Sequence, residues 1–199
     1  MRLFIAIPLG AAVETELKRL TARLRPAAPD LRWSHPEAWH ITLQFLGNAN
    51  EEQYACLLPR LSELKAAPFS IDFEGLGVFE RAGVFLVGVT PTPALVALQK
   101  KVVAATQPCG FEPENRPYHP HITLARSKSG SRGRELRALL ERAGEGVRFE
   151  RFFAAEFRLY ESHLSAAGSK YEVKCRFPLG ESSPADGQEA SHESKGRDL

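Results

Sequence analysis

The word His-Ile-Thr-Leu stands twice in this chain, at residues 40–43 and again at residues 121–124. Repetition of a four-letter word within 199 residues constrains the fold more than any local propensity does. His40 follows the apolar run opening at Arg2 by nearly the interval at which His121 follows the run opening at Val84. Such a chain is expected to fold as two related halves, the unit being too long and too few in number for a solenoid.

Hydrophobic periodicity fills in each half. Residues 3–7 read as a strand, 12–24 as an amphipathic helix, 39–45 as a second strand and 51–65 as a second helix. Residues 69–79 alternate around Ile71 and Phe73, and residues 84–89 form an apolar strand after the Ala82-Gly83 turn, which predicts a hairpin. The pattern then recurs: a helix over 93–106 opened by Thr92-Pro93, a strand over 121–126, a helix over 133–142, and strands over 147–160 and 171–177. The expected fold is α+β, two pseudo-symmetric lobes whose antiparallel sheets face a central groove with helices outside, in one domain over residues 1–179.

On a strand, side chains at i and i+2 project from the same face. Each word therefore offers one imidazole beside one hydroxyl, His40 with Thr42 and His121 with Thr123, while Ile41, Leu43, Ile122 and Leu124 enter the core. Across a groove, two imidazoles suit hydrolysis of a phosphodiester, one taking a proton from water and the other giving one to the leaving oxygen. The threonine hydroxyls can donate to the non-bridging phosphate oxygens. The scheme calls for no metal and no cofactor.

The competing readings are structural and metallic. A single His-x-Thr in a strand is most often a locally satisfied pair. Two copies in a repeat argue otherwise, because burying two such polar pairs without a role is costly. His119, His121 and His40 could converge on a metal, yet no helical His-pair motif and no adjacent carboxylate completes a familiar triad. His119 is read as a strand-entry residue, His35 and His163 as surface residues, and Trp39, of opposite parity to His40, as core.

Composition narrows the partners. The chain is 43% hydrophobic and 25% charged, as in ordinary globular proteins. Its formal net charge of +2 conceals a negative tail, where Glu181, Asp186, Glu189, Glu193 and Asp198 face only Lys195 and Arg197. The rest is correspondingly more basic, suited to a phosphate-bearing partner rather than to holding long duplexes by charge. The arginines between Arg116 and Arg151 read equally as an anion-attracting cluster or as a solvated face interleaved with Glu135, Glu141 and Glu145. Residues 180–199 are too polar to offset the entropy of ordering and are expected to be a disordered tail, His192 with them.

Cys56, Cys109 and Cys175 show no Cys-x-x-Cys spacing, so no disulfide framework and no thiolate zinc site is expected. The opening apolar run is broken by Pro8 and Gly10 and passes into a charged amphipathic segment, which reads as strand and helix rather than a secretory leader. No segment has the composition of a membrane span. A cytoplasmic protein, monomeric by default, is the expectation.

With these residues in place, the chain resembles the 2H phosphoesterase superfamily, and within it the RNA 2′,3′-cyclic phosphodiesterases also called 2′-5′ RNA ligases. The likeness covers nearly everything from Arg2 to Leu179 and rests on Arg2-Leu3-Phe4-Ile5-Ala6-Ile7, Arg32-Trp33, the words at His40 and His121 with their flanks, and the closing Tyr171-Glu172-Val173 and Arg176-Phe177-Pro178. It implies a metal-independent enzyme that opens RNA 2′,3′-cyclic phosphate ends to 2′-phosphomonoesters, with reversible ligation as a companion activity. It also implies His40 as proton donor, His121 as proton acceptor, and Thr42, Thr123 and Arg126 as phosphate contacts. The residues alone leave the two histidine roles interchangeable. Tyr118 is either a packing residue or a stacking face for a nucleobase. Within the same resemblance stand activities on small cyclic nucleotides, ADP-ribose cyclic phosphate or 2′-5′ oligonucleotides, and outside it stands a non-catalytic RNA-end binder.

Overall fold

The computed structural model describes residues 1–127, 133–144, 147–165 and 168–180. In the first half run β1 (Arg2–Pro8), α1 (Ala11–Leu24), β2 (Arg32–Trp33), β3 (His40–Asn48), α2 (Glu51–Ser62), β4 (Phe69–Ile71) and β5 (Phe73–Phe79). The second half runs β6 (Val84–Val89), α3 (Pro93–Thr106), β7 (His121–Arg126), α4 (Gly133–Ala143), β8 (Phe152–Ala154), β9 (Glu156–Ser165) and β10 (Gly168–Pro178). The polar tail from residue 181, His192 included, lies outside the described residues.

Each helix forms because its apolar residues recur on one face. In α1 these are Val13, Leu17, Leu20 and Leu24, in α3 Leu95, Leu98 and Val102, and in α4 Leu136 and Leu139, all buried. The start of α2 is fixed by a capping box, in which Asn50 Oδ1 accepts from the Gln53 N–H and the Gln53 side chain accepts from the Asn50 N–H. Thr92 caps α3 ahead of Pro93, as the sequence predicts.

Two antiparallel four-stranded sheets result, ordered β10-β9-β1-β3 and β2-β7-β6-β5, with a separate β4-β8 pair. The β1-β3 pair of the first sheet corresponds to the β6-β7 pair of the second, so the repeat read from the sequence is a repeat of structure. The halves also exchange strands. First-half strands β2 and β5 complete the sheet of β6 and β7, and second-half strands β9 and β10 complete the sheet of β1 and β3.

Sheet faces divide the apolar side chains of β1. Leu3, Ile5 and Ile7 join the main core, whereas Phe4 and Ala6 form a second cluster with Tyr160 and Tyr171. The hairpin predicted at Ala82-Gly83 is present as β5-β6. Gly83 has φ of +62°, and a Cβ there would lie 3.1 Å from Ser127 Cβ, so the turn needs glycine.

Three expectations are corrected. The strand read over 69–79 breaks at Asp72, its first part pairing with β8 and its second with β6. The strand read over 147–160 begins at Phe152 and divides into β8 and β9, the latter running on to Ser165. Cys56 and Cys109 form a disulfide with a Cα–Cα distance of 5.7 Å, where no disulfide was expected. Its partners lie 53 residues apart and meet because α2 packs beside the turn that ends α3, which no local spacing encodes.

Candidate active site

The two His-x-Thr words adopt the same local structure. In both β3 and β7, the six residues from the histidine onward alternate between half-buried and buried and then show two consecutive buried residues before an exposed one. The cause is a bulge. Opposite β1 the pairing jumps from Thr42 to Gln44, passing over Leu43, and opposite β6 it jumps from Thr123 to Ala125, passing over Leu124. The extra residue reverses parity. Gln44 and Ala125 turn inward, while Phe45 and Arg126 emerge on the face of the histidine and threonine before them.

Phe45 thus occupies in the first lobe the position that Arg126 occupies in the second. It is 49% exposed, which is high for a phenylalanine. Strict alternation hides this residue, and the signal that could reveal it is the alignment of Gln44-Phe45 with Ala125-Arg126 behind the two repeated words.

Each imidazole is anchored the same way. His40 Nδ1 lies 2.8 Å from the Ala38 carbonyl oxygen and His121 Nδ1 lies 2.8 Å from that of His119, in both cases two residues upstream. A carbonyl only accepts, so Nδ1 carries the hydrogen and donates it, leaving Nε2 as the basic nitrogen of both neutral rings. The Ala38 carbonyl is presented by the short 3-10 turn Pro36–Ala38, and the His119 carbonyl by the Pro-rich entry to β7.

The surroundings differ. His40 sits among aromatic rings, with centroids 4.7 Å from Phe4 and 5.4 Å from Tyr171. His121 has Phe79 edge-on at 5.0 Å. Burial pushes the His40 pKa from 6.5 down to about 4; the Ala38 hydrogen bond opposes this, and the charges of His121 and Arg126 add to it. The pKa of His121 is also lowered, first by burial and then by Arg126, Arg116 and His119, against the His119 hydrogen bond. Each ring therefore senses Arg126, and protonating one imidazole disfavours protonating the other.

Neither the Thr42 nor the Thr123 hydroxyl has a protein partner among the described residues. The hydroxyls of Thr15, Thr21 and Thr106, by contrast, all donate to main-chain or side-chain oxygens within hydrogen-bond distance. Both unpaired hydroxyls stand on half-buried positions beside their histidines. A cavity of about 1050 Å³ opens here, with Thr42, Phe45, His121 and Arg126 among its lining residues. His40 and Thr123 are not among its lining residues; His40 feels the charges of His121 and Arg126, which are.

Of the other residues singled out, Trp39 is buried, and His35, His119 and His163 are exposed. Tyr118 packs against the core and also lines the cavity, its hydroxyl donating to the Thr42 carbonyl at 3.0 Å. Among the described residues one His-and-carboxylate group has ligand atoms close together, Glu161, His163 and Glu172 on the β9-β10 hairpin. Lys174 Nζ already lies 3.3 Å from Glu161 and 3.2 Å from Glu172. None of these is a candidate residue of the groove. No helix among the described residues is long and apolar enough to cross a membrane.

Two antiparallel lobes, each presenting one carbonyl-anchored histidine and one unpaired threonine hydroxyl, define the class as a bilobal two-histidine fold. Comparison with known proteins agrees. The family model described as the 2′-5′ RNA ligase superfamily matches residues 11–165, and the chain belongs to that superfamily. It is 33% identical over 181 residues to an RNA 2′,3′-cyclic phosphodiesterase of Bacillus subtilis, covering 88% of this chain and 95% of that protein. It is 34% identical over 181 residues to a protein of the same description from Geobacillus stearothermophilus, covering 88% of this chain but only 56% of that relative's length. Among solved structures, E. coli LigT complexed with 3′-AMP superposes with a TM-score of 0.73 at 26% identity, covering 89% of this chain and 97% of LigT.

Proposed function

We propose that this protein hydrolyses RNA 2′,3′-cyclic phosphate ends to 2′-phosphomonoesters by acid–base catalysis between His40 and His121. The observation that carries the reading is the matched anchoring of the two Nδ1 atoms, which leaves both Nε2 atoms for proton transfer. The description of its relatives as RNA 2′,3′-cyclic phosphodiesterases supports the substrate.

In this reading His121 Nε2 takes a proton from the attacking water as the new P–O bond forms. His40 Nε2 gives its proton to O3′ as the P–O3′ bond breaks, and the phosphate remains on O2′. Burial of His40 among Phe4 and Tyr171 disfavours its imidazolium in the free protein, so the proton it donates is held there by the negative charge of the bound phosphate. Thr42 and Thr123 donate to the non-bridging oxygens, and Arg126 balances the charge that builds on them. Phe45 offers an aromatic face to the terminal nucleoside. With a 5′-hydroxyl in place of water, the same transfers join it to the phosphorus as O3′ departs and leave a 2′-5′ linkage; cleavage of that linkage back to the cyclic phosphate runs the exchange in reverse, with the histidine roles interchanged.

Both proton transfers are assigned to imidazoles, so turnover is expected to survive EDTA. The test is incubation, with EDTA, of a short RNA ending in a 2′,3′-cyclic phosphate, followed by identification of the product end. A 2′-phosphate that is lost in His121→Ala supports the reading; a 3′-phosphate product, or full activity in that variant, refutes it.

A further inference from the structure

The cavity is larger than one reacting nucleotide needs. Its roughly 1050 Å³ lies at the top of the ~300–1,000 Å³ range that encloses a single drug-sized ligand. Beyond Thr42 and His121 it extends along α3, where Gln99, Lys100 and Gln107 face it, and along the β5-β6 turn, where Glu80 and Arg81 face it.

The charges on these walls are already sorted. Arg137 pairs with both oxygens of Glu80, and Arg116 pairs with Glu114, so neither lining carboxylate is a free anion. What is left is three cations with no ion-pair partner among the described residues: Arg126 beside the histidines, Lys100 on α3 and Arg81 on the turn. One scissile phosphate can engage Arg126, which both imidazoles sense. Lys100 and Arg81 stand on other walls of the same cavity and belong to neither histidine strand.

Resting on the function proposed above, we infer that Lys100 and Arg81 form a second phosphate subsite, which binds the phosphodiester preceding the cyclic end. The substrate class is then an RNA strand of at least two nucleotides, and free 2′,3′-cyclic mononucleotides are poor substrates. Binding there is electrostatic and carries no base preference, because a backbone phosphate is the same in every sequence.

The experiment compares steady-state hydrolysis of a 2′,3′-cyclic mononucleotide with that of a dinucleotide ending in the same cyclic nucleotide, for the native chain and for Lys100→Ala, Arg81→Ala and the double variant. All these side chains belong to exposed residues, so the fold is expected to tolerate the changes. The native chain should favour the dinucleotide by about tenfold or more in kcat/KM. The double variant should lose most of that ratio through KM, and the salt dependence of log KM should flatten by about 0.7 per cation removed. Arg60→Ala, a cation on α2 that does not line the cavity, should leave the ratio unchanged.

A native chain that turns over both substrates equally well overturns the subsite while leaving the proposed function standing. A dinucleotide preference that survives the double variant overturns the assignment to Lys100 and Arg81. Failure to hydrolyse either substrate removes the proposed function and the subsite with it.

Discussion

The Tyr118 hydroxyl donates to the main-chain carbonyl of Thr42 at 3.0 Å, joining the approach to the second histidine strand to the middle of the first. The two strands belong to different sheets, so this bond is a direct polar tie between the lobes at the height of the reacting groups. Tyr118→Phe keeps the ring and removes the tie. The expected result is a loss of about 1 kcal/mol in stability by urea denaturation. A fall in kcat larger than the change in KM is also expected, since the spacing of the imidazoles matters most in the transition state.

Removing either imidazole should be far more severe. His40→Ala and His121→Ala are each expected to lower kcat/KM for an RNA cyclic phosphate by ~10²–10⁴-fold, the range for a lost acid or base. Circular dichroism should remain native-like, because both histidines stand at half-buried positions of their strands. Near-native turnover in either variant would remove the paired mechanism.

The lowered pKa values set the pH profile. The active free enzyme carries one proton on the pair, so kcat/KM should be bell-shaped, with an acid limb near the His40 value of about 4 and an alkaline limb below the ordinary 6.5. Bound phosphate adds negative charge and raises both values, so the kcat profile should lie at higher pH than that of kcat/KM. Arg126 lowers both imidazoles. Arg126→Ala should therefore move the alkaline limb of kcat/KM upward in pH as well as weaken binding, a displacement that loss of a remote cation would not cause.

Phe45 tests the bulge. Phe45→Ala should raise KM for an RNA cyclic end, base–aromatic stacking being worth about 1–3 kcal/mol. The smaller response should come from a cyclic phosphate that carries no base. Equal effects on both would place Phe45 in support of Phe4, whose ring lies 6.1 Å away, rather than against the substrate.

The Cys56–Cys109 disulfide closes a long loop across α2 and α3. Cys56→Ser with Cys109→Ser is expected to lower unfolding stability by about 2–4 kcal/mol in the absence of reductant, read from the urea midpoint. With a dithiol present, the native chain and the double variant should converge. Unchanged stability under both conditions would show that the pair contributes nothing to the fold.

Much of this was legible from the residues because it is local. Strand parity separated His40 and Thr42 from Ile41 and Leu43, and the Thr92-Pro93 start gave α3 its observed limits. The aromatic surroundings of His40 were not legible, since Phe4, Tyr160 and Tyr171 come from β1, β9 and β10 and meet only through sheet pairing. Phe45 was hidden for a different reason. A period of two assumes an unbroken ladder, and the extra residue at Leu43 lies in the pairing rather than in the letters. The disulfide and the break at Asp72 likewise depend on which distant element lies alongside.

The exchange of strands between the halves decides how the groove can behave. Each wall is woven from both ends of the chain, with β9 and β10 bracing β1 and with β5 bracing β6. The chain crosses between the two sheets from β1 to β2, β2 to β3, β3 to β5 and β7 to β9, so no single hinge joins the walls. The spacing of the two imidazoles is in that sense a property of the whole weave, held by every crossing rather than by one joint.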